Sequence, residues 1–132
     1  MWAWLQPWRS GGTLGAKGER AAARHLRRGG YRILARNLRS RLGEIDILAE
    51  HRASRSIIIV EVKTTVSDDP SPEEHVNAAK QRKLTTLGGH LVRRYGLADR
   101  VVRFDVIGVV WPAGAKRPTR LTHHEGAFEA RW

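Results

Sequence analysis

The segment from residue 43 to residue 63, GEIDILAEHRASRSIIIVEVK, constrains the fold more than any other stretch of this 132-residue chain. Residues 57–60 form an aliphatic, β-branched run typical of a buried strand, yet Glu61 and Lys63 follow it directly. A strand buried on both faces should carry no charge, whereas a surface strand should not carry four consecutive aliphatic side chains. The segment therefore holds either solvated charges at strand ends or a functional site.

The charge balance indicates the kind of partner. Lys and Arg number 24 and Asp and Glu 13, which gives a net charge of +11. Such a surplus favours association with polyanions, with nucleic acid or an anionic membrane face as the candidates. The absence of cysteine excludes a disulfide scaffold, a cysteine-ligated zinc site and a cysteine nucleophile, and it is typical of a reducing cytoplasm, where we expect the protein. No apolar run approaches the ~18 residues of a membrane span, so we expect no membrane partner.

The chain length fits a single domain. We divide the sequence into residues 1–12, a loose Trp-rich arm, and residues 13–132, one domain. The arm has no basic leading region, long apolar stretch or small-residue cleavage site, so we do not interpret it as a signal peptide. Residues 65–72, TVSDDPSP, are polar and predict a mobile loop.

Periodicity and turn residues predict the order of secondary-structure elements. The pattern indicates a helix over 14–28, strands over 31–38, 44–50 and 57–64, a helix from Pro72 to about Tyr95, a strand over 100–110, and a short edge strand from Thr119. Helix, three strands, helix, strand is the order of an α/β fold with a mixed sheet.

Pairing the second and third strands as a hairpin gives the charges a geometry. A turn centred on residues 53–54 makes the numbers of facing residues sum to 107, so Asp46 faces Glu61 and Glu44 faces Lys63. All four then lie on one face with Leu48 and Ile59, while the opposite face is uniformly apolar (Ile45, Ile47, Ile58, Val60, Val62). Like charges directly opposed destabilise a sheet, so Asp46 and Glu61 require a cation.

Two interpretations of these charges remain open. In one, Glu44 and Lys63 form an ordinary cross-strand salt bridge and the other acids are solvated. In the other, the acids bind a hard ion, Mg²⁺ or Mn²⁺, because carboxylate oxygens without cysteine or a local histidine suit such ions rather than zinc. Glu19 and Lys80 favour the second, since each lies on the otherwise apolar face of its predicted helix.

The order of these residues resembles a known family. Asp46 followed fifteen residues later by Glu61-Val62-Lys63 resembles the D…(D/E)-x-K signature of the PD-(D/E)xK nucleases. The surrounding stretches GAKGERAAARHLRRGGYRILARN, GEIDILA, IIIVEVKT, NAAKQRKL and RFDVIGV resemble the bacterial YraN-type family of predicted endonucleases, which is similar to archaeal Holliday-junction resolvases. The resemblance covers residues 15 to about 110. The sequence departs from the superfamily pattern at Ile45, because superfamily members often have a proline directly before the aspartate that corresponds to Asp46.

The resemblance implies a restriction-endonuclease-like αβββαβ core with a central mixed sheet flanked by helices. It implies that Asp46 and Glu61 are metal ligands, that Lys63 orients or activates the attacking water, and that Glu19 completes the acidic cluster. Glu44 and Lys80 are supporting candidates, with Lys80 contacting phosphate. Related resolvases act as dimers, so a homodimer is one expectation.

Basic side chains recur at helical spacing along the first helix. Together with arginines beyond the helix, we interpret them as a surface that follows nucleic-acid phosphates, with DNA as the expected partner. The set is Lys17, Arg20, Arg24, Arg27, Arg28, Arg39 and Arg41, with Lys80 added. Arg103 and Asp105 are expected to pair structurally, and adjacent His123 and His124 should point to opposite faces and share no metal.

The favoured hypothesis is therefore a metal-dependent endonuclease acting on DNA, including branched or damaged DNA. The alternative is a non-catalytic nucleic-acid-binding module on a nuclease-like fold, and an interaction scaffold for an acidic protein ranks below both. The intact set of Asp46, Glu61 and Lys63 favours the enzyme.

Overall fold

The computed structural model describes residues 13–128 together with the backbone of residues 6–7. Its elements are strand β1 (Gln6–Pro7), helix α1 (Leu14–Arg28), strands β2 (Tyr31–Ser40), β3 (Gly43–His51) and β4 (Ile57–Thr65), a 3₁₀ helix (Pro72–His75), helix α2 (Ala78–Arg94), and strands β5 (Val102–Val110) and β6 (Arg120–Phe128). The predicted α/β order is confirmed and is compatible with an αβββαβ core. Apart from the backbone of residues 6–7, the predicted arm lies outside the described residues.

The strands form one mixed sheet in the order β1-β2-β3-β4-β5-β6. Every neighbouring pair is antiparallel except β4 and β5, which are parallel. Parallel strands need a crossover connection, and the 3₁₀ helix and α2 supply it. Strand β6 is nine residues long and pairs with β5, which makes it longer than the short edge strand expected from the sequence.

The predicted register of the β3–β4 hairpin is confirmed. The ladder pairs residues 47 to 50 with residues 60 to 57, and in each pair the numbers sum to 107. The ladder stops at Ile47 and Val60, however, so Asp46 and Glu61 lie just beyond it. The two strands therefore present these acids at the end of their pairing and not within it.

Two apolar cores cover the two faces of the sheet. Helix α1 packs Ala22, Ala23 and Leu26 on one face, and α2 packs Leu84, Leu87 and Leu91 on the other. None of the described helices is long and apolar enough to cross a membrane.

Ile45 corrects the sequence interpretation. It was expected beside Ile47, but it packs with Leu48 and Ile59 in the core under α2, whereas Ile47 packs in the core under α1. Simple alternation fails here because β3 has left the ladder with β4 and the neighbouring strand is distorted at Asn37, whose φ is 53°.

The single helix predicted from Pro72 is divided in two. Residues 72–75 form the 3₁₀ helix, and α2 begins only at Ala78. Asn77 causes the interruption, because its backbone is extended and its side-chain oxygen accepts a hydrogen bond from the backbone N–H of Lys80 at 3.0 Å. This cap places Lys80 in the first turn of α2.

Two glycines let the helices approach the sheet closely. A Cβ at Gly18 of α1 would come within 1.7 Å of Thr64 Oγ1, and a Cβ at Gly88 of α2 would come within 2.7 Å of Phe104 Cζ. Larger residues would push each helix away from the sheet. The contact at Gly18 matters most for the site, because the next residue is Glu19.

Candidate functional site

The site lies where the β3–β4 ladder ends. An oxygen of the Asp46 side chain, Oδ2, accepts a hydrogen bond from the backbone N–H of Val62 at 2.8 Å. This bond takes the place of a ladder bond and fixes the Asp46 carboxylate against β4. The predicted proximity of Asp46 and Glu61 follows from it.

Glu61 is buried, with 3% of its surface exposed. Its Oε2 accepts from the Lys80 ammonium at 2.7 Å, and its carboxyl also hydrogen-bonds with Asp46. Burial, and then the Asp46 charge, raise the pKa of Glu61 to about 9, although Lys80 acts in the opposite direction. The close approach of Glu61 and Asp46 therefore disfavours ionisation of both carboxyls at once.

Glu19 approaches the same aspartate from helix α1. It is 6% exposed, and its neighbours include the side chains of Asp46 and Asn37. Burial is the main cause, and the Asp46 charge the second, of a pKa raised to about 7, while Asn37 and Arg36 lower it. We call Glu19, Asp46 and Glu61 the carboxylate cluster; Asp46 is the member that contacts both of the others.

Asn37 is a residue of the site that sequence reasoning missed. It lies between the pairs Arg36–Ile47 and Leu38–Ile45 of the β2–β3 ladder, and it adopts a left-handed conformation. Its Oδ1 is buried and accepts no hydrogen bond among the described residues. An asparagine in mid-strand, where this residue type is depleted, was the available signal.

Lys63 and Glu44 do not form the cross-strand salt bridge of the ordinary interpretation. Within residues 13–128, Lys63 is exposed and takes part in no ion pair. Glu44 is also exposed and faces Arg39 across the β2–β3 ladder. Among the described residues, the cation that forms an ion pair with the carboxylate cluster is Lys80, which sequence reasoning had given a supporting role.

An open cleft of about 470 Å³ adjoins Lys80. It lies between the start of β3 and helix α2, and its lining includes Gly43, Glu44, Lys80 and Lys83. We call it the α2 cleft. Burial alone would lower the pKa of Lys80, but the carboxylates, with Glu61 foremost, raise it, so the ammonium stays charged between the cleft and the carboxylate cluster.

The donor chemistry of the carboxylate cluster suits a hard divalent ion. It offers carboxylate oxygens and the unpaired amide oxygen of Asn37, the ligand types that Mg²⁺ and Mn²⁺ prefer. Across residues 6–7 and 13–128, no three Asp, Glu or His side chains have the arrangement of a formed metal site. Hydrogen bonds of Glu19 and Glu61 with Asp46 and the Lys80 ion pair instead hold the cluster together, so an entering cation would have to displace both.

The predicted phosphate-contacting residues separate into two groups. Lys17, Arg20, Arg24 and Arg28 line one cleft along the outer side of α1, which also receives residues from the β5–β6 connection. Arg27, Arg39 and Arg41 are exposed but do not line it, and Lys80 lies at the carboxylate cluster. Sequence reasoning missed the contribution of the β5–β6 connection because that segment lies far away along the chain.

A second group of buried charges occupies the junction of β5, β6 and α1. Asp105 is 1% exposed and accepts two hydrogen bonds from Arg103 at 2.8 Å, one from the Gly126 backbone at 3.0 Å, and a contact from His123 Nε2 at 2.7 Å. We call it the Asp105 network. The predicted Arg103–Asp105 pairing is confirmed, and His124 turns instead to Glu73.

The chain is similar to proteins from several bacterial lineages. A UPF0102 protein of Rhodopirellula baltica is 39% identical over 134 residues, which cover 97% of this chain and 80% of that protein. UPF0102 proteins of Porphyromonas gingivalis and Mycobacterium tuberculosis are 44% and 42% identical over 115 residues, or 86% of this chain. The model of the uncharacterised protein family UPF0102 matches residues 18–109, the segment that contains Glu19, Asp46, Glu61, Lys63 and Lys80. The chain therefore belongs to the UPF0102 family, the YraN family that its motifs resemble.

Proposed function

We propose that this protein hydrolyses phosphodiester bonds in DNA, including branched or damaged DNA, with the help of a divalent metal ion. The carboxylate cluster is the observation that carries the proposal. Three adjoining acids, two of them with pKa values raised by burial and by Asp46, have Lys80 as their one ion-pair partner within residues 13–128, in a protein of net charge +11. Strongly shifted acids that are not neutralised by their surroundings are typical of functional sites.

The residues have distinct proposed roles. Asp46, Glu61 and Glu19 would hold Mg²⁺ or Mn²⁺, which when bound lowers the pKa of water and neutralises phosphate charge. Lys63 is exposed on β4, two residues after Glu61, and is proposed to orient the attacking water and to offset charge on the phosphate. Lys80 would exchange its contact with Glu61 for one with a phosphate oxygen.

The electrostatics of the α2 cleft support an approach by DNA. Lys80 and Lys83 line this cleft beside the carboxylate cluster, with Glu44 as the acid among its lining residues. Phosphates drawn by the basic protein could thus come close to buried acids that would otherwise repel them.

The test is cleavage of linear, nicked, flapped and four-way DNA with Mg²⁺ or Mn²⁺. Asp46→Asn and Lys63→Ala should each reduce cleavage strongly, by at least about 10³-fold for Asp46→Asn, because a metal ligand and several kcal/mol of transition-state stabilisation are lost. Arg93→Gln at the exposed end of α2 is the control variant and should cleave at the wild-type rate.

Cleavage that persists unchanged in Asp46→Asn would contradict the proposed site. The alternative function, a non-catalytic DNA-binding module, has one observation in its favour. Lys80 holds Glu61 in an ion pair, which would suit a cluster that never receives a metal. DNA binding without cleavage of any substrate in the panel would establish that alternative.

A further inference from the structure

The outer side of α1 faces a second, strongly basic cleft, which we call the basic cleft. It has a volume of about 400 Å³ and lies between α1 and the β5–β6 connection, residues 111–119. No acidic residue is among the described residues that line it. Its Lys and Arg side chains come from both walls: Lys17, Arg20, Arg24 and Arg28 from α1, and Lys116 and Arg117 from the connection.

The spacing of these charges suits a repeating polyanion. Along an α-helix each residue rises 1.5 Å, so the α1 charges recur about every 4.5–6 Å and together span about 16 Å. A single phosphate would need donors that converge on one point, whereas here the donors form a row. In duplex DNA one strand presents a phosphate about every 3.4 Å along the axis, so a row of this length spans several successive phosphates.

The position of Trp111 indicates that the basic cleft contacts the DNA phosphate backbone and does not stack on DNA bases. Its indole N–H donates to the carbonyl of Ala115 at 2.9 Å, and the Lys17 ammonium lies 5.7 Å from its ring centroid. The ring is also packed against the core under α1. Trp111 is thus engaged within the protein, where it orders the β5–β6 connection and is not presented as a free platform for a base.

We propose that the basic cleft binds the phosphate backbone of double-stranded DNA and extends the DNA contact away from the carboxylate cluster. This inference rests on the proposed function only in taking DNA as the partner. Glu19 points inward from α1 at the level of Lys17 and Arg20, and the cleft continues to Arg28, about 12 Å further along the helix. Duplex bound there would lie to one side of the position that is cut.

The experiment measures affinity for a short duplex in EDTA, which separates binding from metal-dependent cleavage. Lys116→Gln/Arg117→Gln and Arg24→Gln/Arg28→Gln change the two walls of the cleft. Arg93→Gln/Arg94→Gln, at the exposed end of α2 on the other face of the sheet, is the control with the same loss of charge. All six side chains are exposed, so each variant should fold.

Each cleft variant should bind at least about tenfold more weakly near 100 mM salt. Its plot of log affinity against log salt should be shallower by about 1.8, because two phosphate contacts are lost at about 0.9 each. The control variant should keep the wild-type slope. This result supports the proposal whether or not the protein cleaves DNA.

Equally weakened duplex binding in all three variants would overturn the basic cleft as a site and leave the proposed hydrolysis intact. Tighter binding of single-stranded than of double-stranded DNA, lost in Trp111→Ala, would have the same consequence. Absence of duplex binding by the wild type at low salt would also overturn the basic cleft as a site. The cleavage assay would then test the proposed hydrolysis separately. Binding of phosphatidylserine vesicles instead of duplex through these side chains would assign the cleft to a membrane surface and overturn the proposal.

Discussion

Asp105 and Glu61 are two buried carboxyls on neighbouring strands with opposite electrostatic surroundings. Asp105 is surrounded by donors: hydrogen bonds from His123, Arg103 and the Gly126 backbone outweigh the effect of burial, and its pKa is lowered. Glu61 faces another acid, Asp46, and burial together with that acid raises its pKa to about 9. The Asp105 network is compensated within the protein, whereas Lys80 and Arg36 offset the charge of the carboxylate cluster only in part, since the pKa values of Glu19 and Glu61 stay raised. The difference separates an acid that the protein's own donors stabilise in its charged form from one whose raised pKa is typical of functional sites.

Replacing each of the two buried carboxyls by its amide gives the largest expected difference in the free energy of unfolding. Asp105→Asn should lower the free energy of unfolding at pH 7 by about 3–5 kcal/mol, because Arg103 would be left without its buried partner. Glu61→Gln should change it by less than about 1 kcal/mol, since burial and Asp46 disfavour the ionised form of this carboxyl and the amide has the same shape. Urea unfolding in EDTA measures both. Equal losses of unfolding free energy in the two variants would mean that Glu61, like Asp105, mainly stabilises the fold.

The second-largest expected effect is stabilisation by a divalent ion, which should act at the carboxylate cluster and not at the Asp105 network. At a concentration a hundred times the dissociation constant, Mn²⁺ should stabilise the wild type by about 2.7 kcal/mol, and the gain should grow from pH 6 to pH 9 as displaced protons become easier to release. Thermal unfolding with and without Mn²⁺ measures it. Asp46→Asn and Glu61→Gln should lose most of this gain. If they keep it, the ion binds elsewhere.

The pH dependence of stability should have opposite signs in the two regions. In EDTA the carboxylate cluster should lose on the order of 1–2 kcal/mol as pH rises from about 5 to 9, because Glu19 and Glu61 hold protons in the folded state that they release on unfolding. Asp105, with its lowered pKa, should instead lose stability as pH falls below about 4.

Unfolding free energies across this pH range, compared between wild type and single variants, isolate each contribution. Glu61→Gln should flatten the alkaline decline and leave the acid limb unchanged. A decline equally steep in Glu61→Gln would mean that other groups cause it.

The two lysines of the site give the smallest expected effects on stability. Lys80→Gln should cost about 1 kcal/mol, because Glu61 Oε2 would lose its charged donor, whereas Lys63→Gln should change stability by less than about 0.5 kcal/mol. Cleavage should respond in the opposite order, with the larger loss in Lys63→Gln. Urea unfolding and the cleavage assay on the same two variants test this. Intact cleavage in Lys63→Gln would transfer the catalytic role to Lys80.

Local sequence determined the elements and the hairpin register because both depend on neighbouring residues. Apolar periodicity defined α1 and the strands, and the turn after His51 fixed the pairing that brings Asp46 close to Glu61. Prediction failed where a single side chain overrode the pattern. Asn77 delayed the start of α2, and Asn37 distorted β2 so that Ile45 joined the opposite core.

The sequence by itself determined the family, the α/β order and the placement of Asp46, Glu61 and Glu19 where they could meet. Only the tertiary structure decided that Lys80, and not Lys63, contacts the cluster, and that the pKa of Asp105 is lowered while that of Glu61 is raised. The physical reason is that charge compensation depends on distances between elements far apart in the chain. A pattern along the sequence records which face a residue occupies, but not which distant cation or acid lies within reach of it.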